Sequence, residues 1–151
     1  QTNTSKSLLR ALRATQEPGV LWLNGDVVFD PKALERVADK VKNEESFVCV
    51  NTSAVAEEEV KYTVDDAGNI KELSKVVKDG LGEAVGINFI SKNDKALVIT
   101  ELENCADNDY FERGLEMAIE KYGIKIKPVD ISDLFAVEID FPEDLERANK
   151  K

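Results

Sequence analysis

Apolar positions along this chain alternate between a helical spacing and short continuous or every-second runs, which predicts alternating helices and strands. Leu8, Leu9 and Leu12 follow the capping residues Asn3-Thr4-Ser5, so the chain opens on an amphipathic helix. Glu17-Pro18-Gly19 is a turn. Val20 to Leu23 is a nearly continuous apolar run, the pattern of a strand buried on both faces of an α/β sheet. Asp30-Pro31 is a favoured helix entry, and Leu34, Val37, Ala38 and Val41 give that helix one apolar face. Ser46 to Val50 predicts a second buried strand.

The middle of the chain changes period. Val60, Tyr62 and Val64 alternate with Glu59, Lys61 and Thr63, as in a strand with one wet face. Asp65-Asp66-Ala67-Gly68-Asn69 is a turn, and Ile70 to Val76 returns as the partner strand of a hairpin. Lys78 to Gly82 links this hairpin to a strand over Val85 to Ile90. Ser91 then caps a helix that carries Leu97, Val98 and Leu102. Asp107-Asn108-Asp109 opens the next helix, with Tyr110, Phe111, Leu115, Ala118 and Ile119 on its apolar side, and Gly123 stops it. Ile124 to Ile131 is extended, Leu134 to Ile139 is a strand, and Pro142 starts a last helix. The order is that of an α/β protein with a hairpin insertion, and residues 1–151 read as one domain.

Composition narrows the chemistry. The chain holds 151 residues with a net charge of −10, which argues against direct binding of a nucleic-acid backbone. No apolar run approaches a membrane span and no signal-peptide pattern opens the chain, so no membrane partner is expected and the cytoplasm is the expected compartment. The two cysteines make no disulfide framework; Cys49 reads as a buried thiol and Cys105 falls near a helix end. The chain has no His, which removes Ser-His-Asp catalysis and most zinc sites. Catalysis here must use carboxylates, Lys or Arg, and a metal. Magnesium takes oxygen ligands, commonly one or two carboxylates plus substrate phosphates, and an acidic chain suits it. A merely solvated acidic surface has the same composition.

Two acidic strand ends stand out. Leu21-Trp22-Leu23-Asn24-Gly25-Asp26 puts a carboxylate just past the C-terminal end of what reads as a buried parallel strand, where open α/β sheets place their ligands. Gly25 allows close backbone approach and Asn24 offers an amide. The period of a strand puts Glu138 and Asp140 on one face at the end of the last strand, where two like charges repel unless a cation or hydrogen bonds hold them. Asp26 equally suits a turn or cap, and Asp140 with Glu143 equally suits the positive end of the final helix.

Taken in order, these pieces resemble sugar-nucleotide-type nucleotidyltransferases, closest to the branch that transfers CMP to phosphocholine and related phospho-alcohols. The matching residues are Asn3 to Leu8, Asn24-Gly25-Asp26-Val27, Asp66 to Ile70, Gly82 to Ile87, Asp109-Tyr110-Phe111-Glu112, and Glu138-Ile139-Asp140 with Pro142 to Leu145. The resemblance implies a GT-A-type, Rossmann-like mixed-sheet α/β/α fold, of which this chain is the C-terminal two-thirds. It implies Mg2+ on Asp26 and Asp140, with Glu138 as a further ligand or supporting carboxylate. A nucleoside triphosphate, expected to be CTP, would react with a small phosphorylated acceptor such as phosphocholine. Asn3, Ser5, Asn24, Glu83, Tyr110 and Glu112 are the implied substrate-binding residues. Sugar-1-phosphate nucleotidyl transfer and a non-catalytic regulatory or docking fragment are the competing expectations. The family's Gly-rich phosphate loop, with its Arg and later Pro-Lys pair, has no counterpart among the scattered glycines. A missing N-terminal segment, a partner chain supplying it, or a homo-oligomer joined at the Val20–Leu23 edge is therefore expected, with little turnover from this chain alone.

Overall fold

In the computed structural model, residues 4–53, 55–139, 146 and 149 are described. The helices are α1 (Thr4–Ala14), α2 (Lys32–Lys42), α3 (Lys92–Asn104) and α4 (Phe111–Tyr122). The strands are β1 (Val20–Leu23), β2 (Val27–Phe29), β3 (Phe47–Asn51), β4 (Lys61–Val64), β5 (Ile70–Ser74), β6 (Glu83–Ile90), β7 (Lys127–Asp130) and β8 (Ala136–Glu138). Six of the strands form one mixed sheet in the order β5-β4-β6-β3-β7, with β1 also paired to β6; β2 and β8 form a separate two-stranded ladder. Only β3 and β7 run parallel within it.

Alternation along β3 shows how the layers form. Val48 and Val50 enter the core that α1, α3 and α4 build on one face, whereas Phe47 and Cys49 join Ala33 and Val37 of α2 on the other. The result is the expected α/β/α arrangement with a hairpin, β4–β5, turning at Asp65 to Asn69. Ser91 caps α3 by accepting from the Asp94 amide, and Gly123 ends α4 in the left-handed region at φ 66°. Cys49 is fully buried and burial pushes its thiol up to about 12, the mark of an inert core cysteine.

Several local expectations change. β1 is antiparallel to β6 and covered on one face only: Val20 and Trp22 meet the α1/α3/α4 core, while Leu21 and Leu23 are 40% and 44% exposed. A four-residue apolar run cannot by itself tell a central strand from a marginal one. In α2 the buried ridge is Ala33 and Val37, flanked by Val41, and Leu34 and Ala38 face out. The hairpin's alternation fails at Lys61, which is buried although its neighbours predict a wet position. Helix α4 starts at Phe111 rather than at Asp107 to Asp109, and its first amide donates to Thr4 Oγ1 of α1, a cap from a distant helix. The helix expected from Pro142 lies outside the described residues.

Gly86 fixes the strand on which this sheet is assembled. Between the pairs Val48–Asn88 and Val50–Ala84, Val85, Gly86 and Ile87 stand against Cys49 alone, so β6 bulges there. Gly86 sits at φ 88°, and an added Cβ would lie 2.9 Å from Val27 Cγ2 and 3.0 Å from Asn24 Cβ. Gly86→Ala is therefore expected to lower stability by roughly 2 kcal/mol or more, from left-handed strain and from contact with the β1–β2 turn. Urea unfolding of the two proteins measures it, and an unchanged midpoint would show that the bulge relaxes freely.

Candidate active site

The bulge determines where the acidic residues meet. Asn24 donates its amide to Gly86 O at 2.9 Å, which ties the turn after β1 to β6. Asn24 to Val27 then turn tightly, with Val27 N on Asn24 O at 3.3 Å, and lead into β2. β2 pairs antiparallel with β8, placing Val27 opposite Glu138, and Ile139 N donates to Asp26 O at 2.7 Å. Two carboxylate-bearing segments far apart in sequence are thus held side by side.

They border a cleft of about 1030 Å3. Asn24, Asp26, Glu83, Tyr110, Glu112 and Glu138, all singled out from the sequence, line it together. Asp26 is half-buried within the turn after β1, as the turn reading expects, and its carboxylate caps nothing, taking no hydrogen bond from another described residue. Ser5 is a correction: fully buried, it donates to Ala106 O at 3.4 Å in the connection between α3 and α4 and does not line the cleft. Its neighbours Thr4 and Ser7 do, because a helix turns successive side chains by about 100°. Asn3 and Asp140 lie outside the described residues.

Sequence reasoning missed Trp22, Glu58, Glu59 and Lys75, which also line the cleft. Six carboxylates face one amine there among the described residues: Asp26, Glu58, Glu59, Glu83, Glu112 and Glu138 against Lys75. That amine stands 4.6 Å over the Tyr110 ring and donates to its hydroxyl at 3.4 Å. Trp22 meets Phe111 edge-on at 5.5 Å, and its indole N–H has no acceptor among the described residues. Glu83 accepts the Ala56 amide at 2.7 Å, so part of its charge already holds the adjoining loop. No alternation or motif announces Lys75 or the two loop glutamates; they reach the cleft through the tertiary path of the hairpin.

The donor set tests the expected metal. Among the described residues no group of three or more His, Cys, Asp or Glu gathers as a metal cage. Two oxygen donors, Asp26 and Glu138, on adjacent strand ends fit magnesium, which fills its remaining positions with water and substrate phosphates.

This architecture, with its acidic loops at one cleft, is a GT-A-type, nucleotidyltransferase-like fold. The inositol-1-phosphate CTP transferase from T. maritima superposes with a TM-score of 0.78 at 19% identity, over 98% of this chain and 60% of that one. The UTP-bound UGPase from Acinetobacter baumannii gives 0.68 at 12% identity, over 95% and 54%. CMP:2-keto-3-deoxy-manno-octonic acid synthetase complexed with CTP gives 0.66 at 15%, over 97% and 66%. The chain thus spans less than two thirds of the length of each, and at these identities the likeness is one of fold. The model of glycosyl transferase family 2 matches residues 1–125, and the chain belongs to that family. No curated protein matches it in sequence.

Glu112 carries a pH signature. Burial pushes its carboxyl up to about 7 from an ordinary 4.5, a rise that Glu116 reinforces and that Lys75 opposes. The folded protein therefore holds a proton that the unfolded chain has lost between those values, and stability should fall as pH rises through that window. The effect is on the order of 3 kcal/mol. Glu112→Gln should flatten this part of the stability profile and make the variant the more stable protein at pH 8. Denaturation midpoints at pH 4.5, 6 and 8 check this; parallel profiles would place Glu112 in contact with solvent.

Proposed function

We propose that this chain forms the catalytic and acceptor side of a nucleotidyltransferase, which joins CTP to a small phosphorylated acceptor such as phosphocholine and releases pyrophosphate. The observation that carries the proposal is the meeting of Asp26 and Glu138 at one cleft, on strand ends paired by β2 and β8. Nucleotidyl transfer in the structural neighbours, by their names, supports it.

In the reaction an acceptor phosphate oxygen bonds to the α-phosphorus of the triphosphate, and the bond to the bridging oxygen breaks so that pyrophosphate leaves with the electron pair. No protein base is needed because a phosphate dianion is already a nucleophile, which suits a chain without His. Mg2+, held by Asp26, Glu138 and Asp140, would supply charge neutralisation and alignment of the phosphates when bound. The protein's own part is orientation and charge. Asn24 and the Gly86 bulge fix the turn that carries Asp26. Lys75 is the amine available to an acceptor phosphate, and its seat on Tyr110 keeps it in the cleft. Trp22, Tyr110 and Phe111 beside Glu83 and Glu112 suit a quaternary ammonium, for which aromatic faces and carboxylates are the natural partners. The edge of β1 away from β6, which pairs with no other strand among the described residues, would take a further strand that completes the triphosphate site, supplied by an N-terminal segment, a partner chain or a second copy.

A second reading, glycosyl transfer from a nucleotide sugar, is favoured by the family match over residues 1–125. The two differ in the bond broken. With the protein isolated from its own host, together with any segment or chain it retains, phosphorus NMR should show pyrophosphate and a CDP-linked product from CTP, phosphocholine and Mg2+. Asp26→Asn should cut that rate by about 100-fold or more, the scale of losing one charge-stabilising group, while leaving the unfolding midpoint in place. Pyrophosphate release with a sugar 1-phosphate alone would move the acceptor to that class. Release of a nucleoside diphosphate from a nucleotide sugar, with no pyrophosphate from CTP, would replace the proposal by the second reading.

A further inference from the structure

The hairpin's departure from alternation, Lys61, points to a role that no motif suggests. Lys61 is 5% exposed within β4. Its stem presses on Gly80, where an added Cβ would come within 2.8 Å of Lys61 Cβ. The ammonium reaches four backbone carbonyls: Ala56 O at 3.3 Å, Glu57 O at 2.9 Å, Glu59 O at 3.0 Å and Lys75 O at 2.7 Å. No carboxylate pairs with it among the described residues. Its three N–H groups are thus shared among carbonyl oxygens alone.

A buried ammonium without a counter-ion is a costly way to fill a strand position, since an apolar side chain of the same length avoids the desolvation. What the charge does here is join two pieces of the cleft wall. Residues 56–59 contain no helix or strand, yet Glu58 and Glu59 line the cleft from that segment. Lys75 follows β5 and supplies the amine that lines the cleft. Lys61 ties the carbonyls of both pieces to one point, and Glu83 holds the same loop through the Ala56 amide.

We propose that Lys61 is a positioning residue for the acceptor end of the cleft, setting Glu58, Glu59 and Lys75 at fixed distances from one another so that a ligand carrying both a cationic and an anionic group meets them together. This rests on the acceptor reading given above. It acts through backbone carbonyls and touches no substrate.

Two measurements on the whole chain test it. Hydrogen exchange should accelerate about tenfold or more in Lys61→Met at the amides of residues 57–60 and 75–77 together, and not in the α3–α4 core. Fluorescence of Trp22, the single tryptophan and a cleft residue, reports binding. Phosphocholine affinity should fall at least tenfold in K61M, Mg2+ affinity should stay within about twofold, and Lys61→Arg should recover most of the loss. Equal weakening of both titrations would mark Lys61 as a general stabiliser and overturn the proposal, as would unchanged exchange in either segment. If the wild-type chain does not bind phosphocholine, the acceptor reading falls, and the exchange comparison alone upholds or overturns the clasp. Should K61M lose cooperative unfolding, Lys61→Gln is read by the same criteria.

Discussion

One strand carries the architecture. β6 pairs with β3 along one side and, along the other, with β4 at its first residue and β1 at its last four. A regular strand could not serve both neighbours and still leave room for the turn after β1. The bulge at Gly86 makes that room: its missing side chain lets Val27 and Asn24 approach, and its carbonyl anchors the Asn24 amide. The turn bearing Asp26, the β2–β8 ladder and the facing Glu138 all follow from that local geometry.

The cleft that results is electrostatically unfinished. Asp26, Glu58, Glu59, Glu83, Glu112 and Glu138 line it with a single amine, Lys75, among the described residues. An excess of carboxylates along one cleft favours protons, cations or hydrogen bonds at its wall. Three features of the wall bear on this. Burial lifts the Glu112 carboxyl to about 7, Glu83 accepts a backbone amide, and Lys75 lies over Tyr110 inside the cleft.

Family and fold place the chain from different sides. The family model is one of glycosyl transferases, while the solved structures that superpose carry names of nucleotidyl and CMP transfer. The fold accommodates both because it supplies a cleft at the ends of strands, and the chemistry is left to the side chains of the loops. The side chains along the cleft, Trp22, Tyr110, Glu58, Glu59 and Lys75 among them, are therefore where the distinction must be made.

The sequence by itself determined the order of elements other than β2, the hairpin, the caps at Ser91 and Gly123 and the burial of Cys49, because each depends on neighbours within a few residues; β2, three residues with no alternation of its own, exists through its pairing with β8. Periodicity, turn chemistry and capping are local properties. It could not decide that Val20–Leu23 is a one-faced antiparallel strand, since burial depends on what packs against it. Nor could it see that Ser5 turns away from the cleft while Thr4 caps a helix more than a hundred residues on, or that Lys61 leaves its wet face to gather four carbonyls. Glu58, Glu59 and Lys75 belong to the site only because the hairpin is placed beside β6 through the Lys61–Glu83 pair. Tertiary structure decided these because charge and hydrogen-bond partners are chosen in space, and along the chain they carry no period.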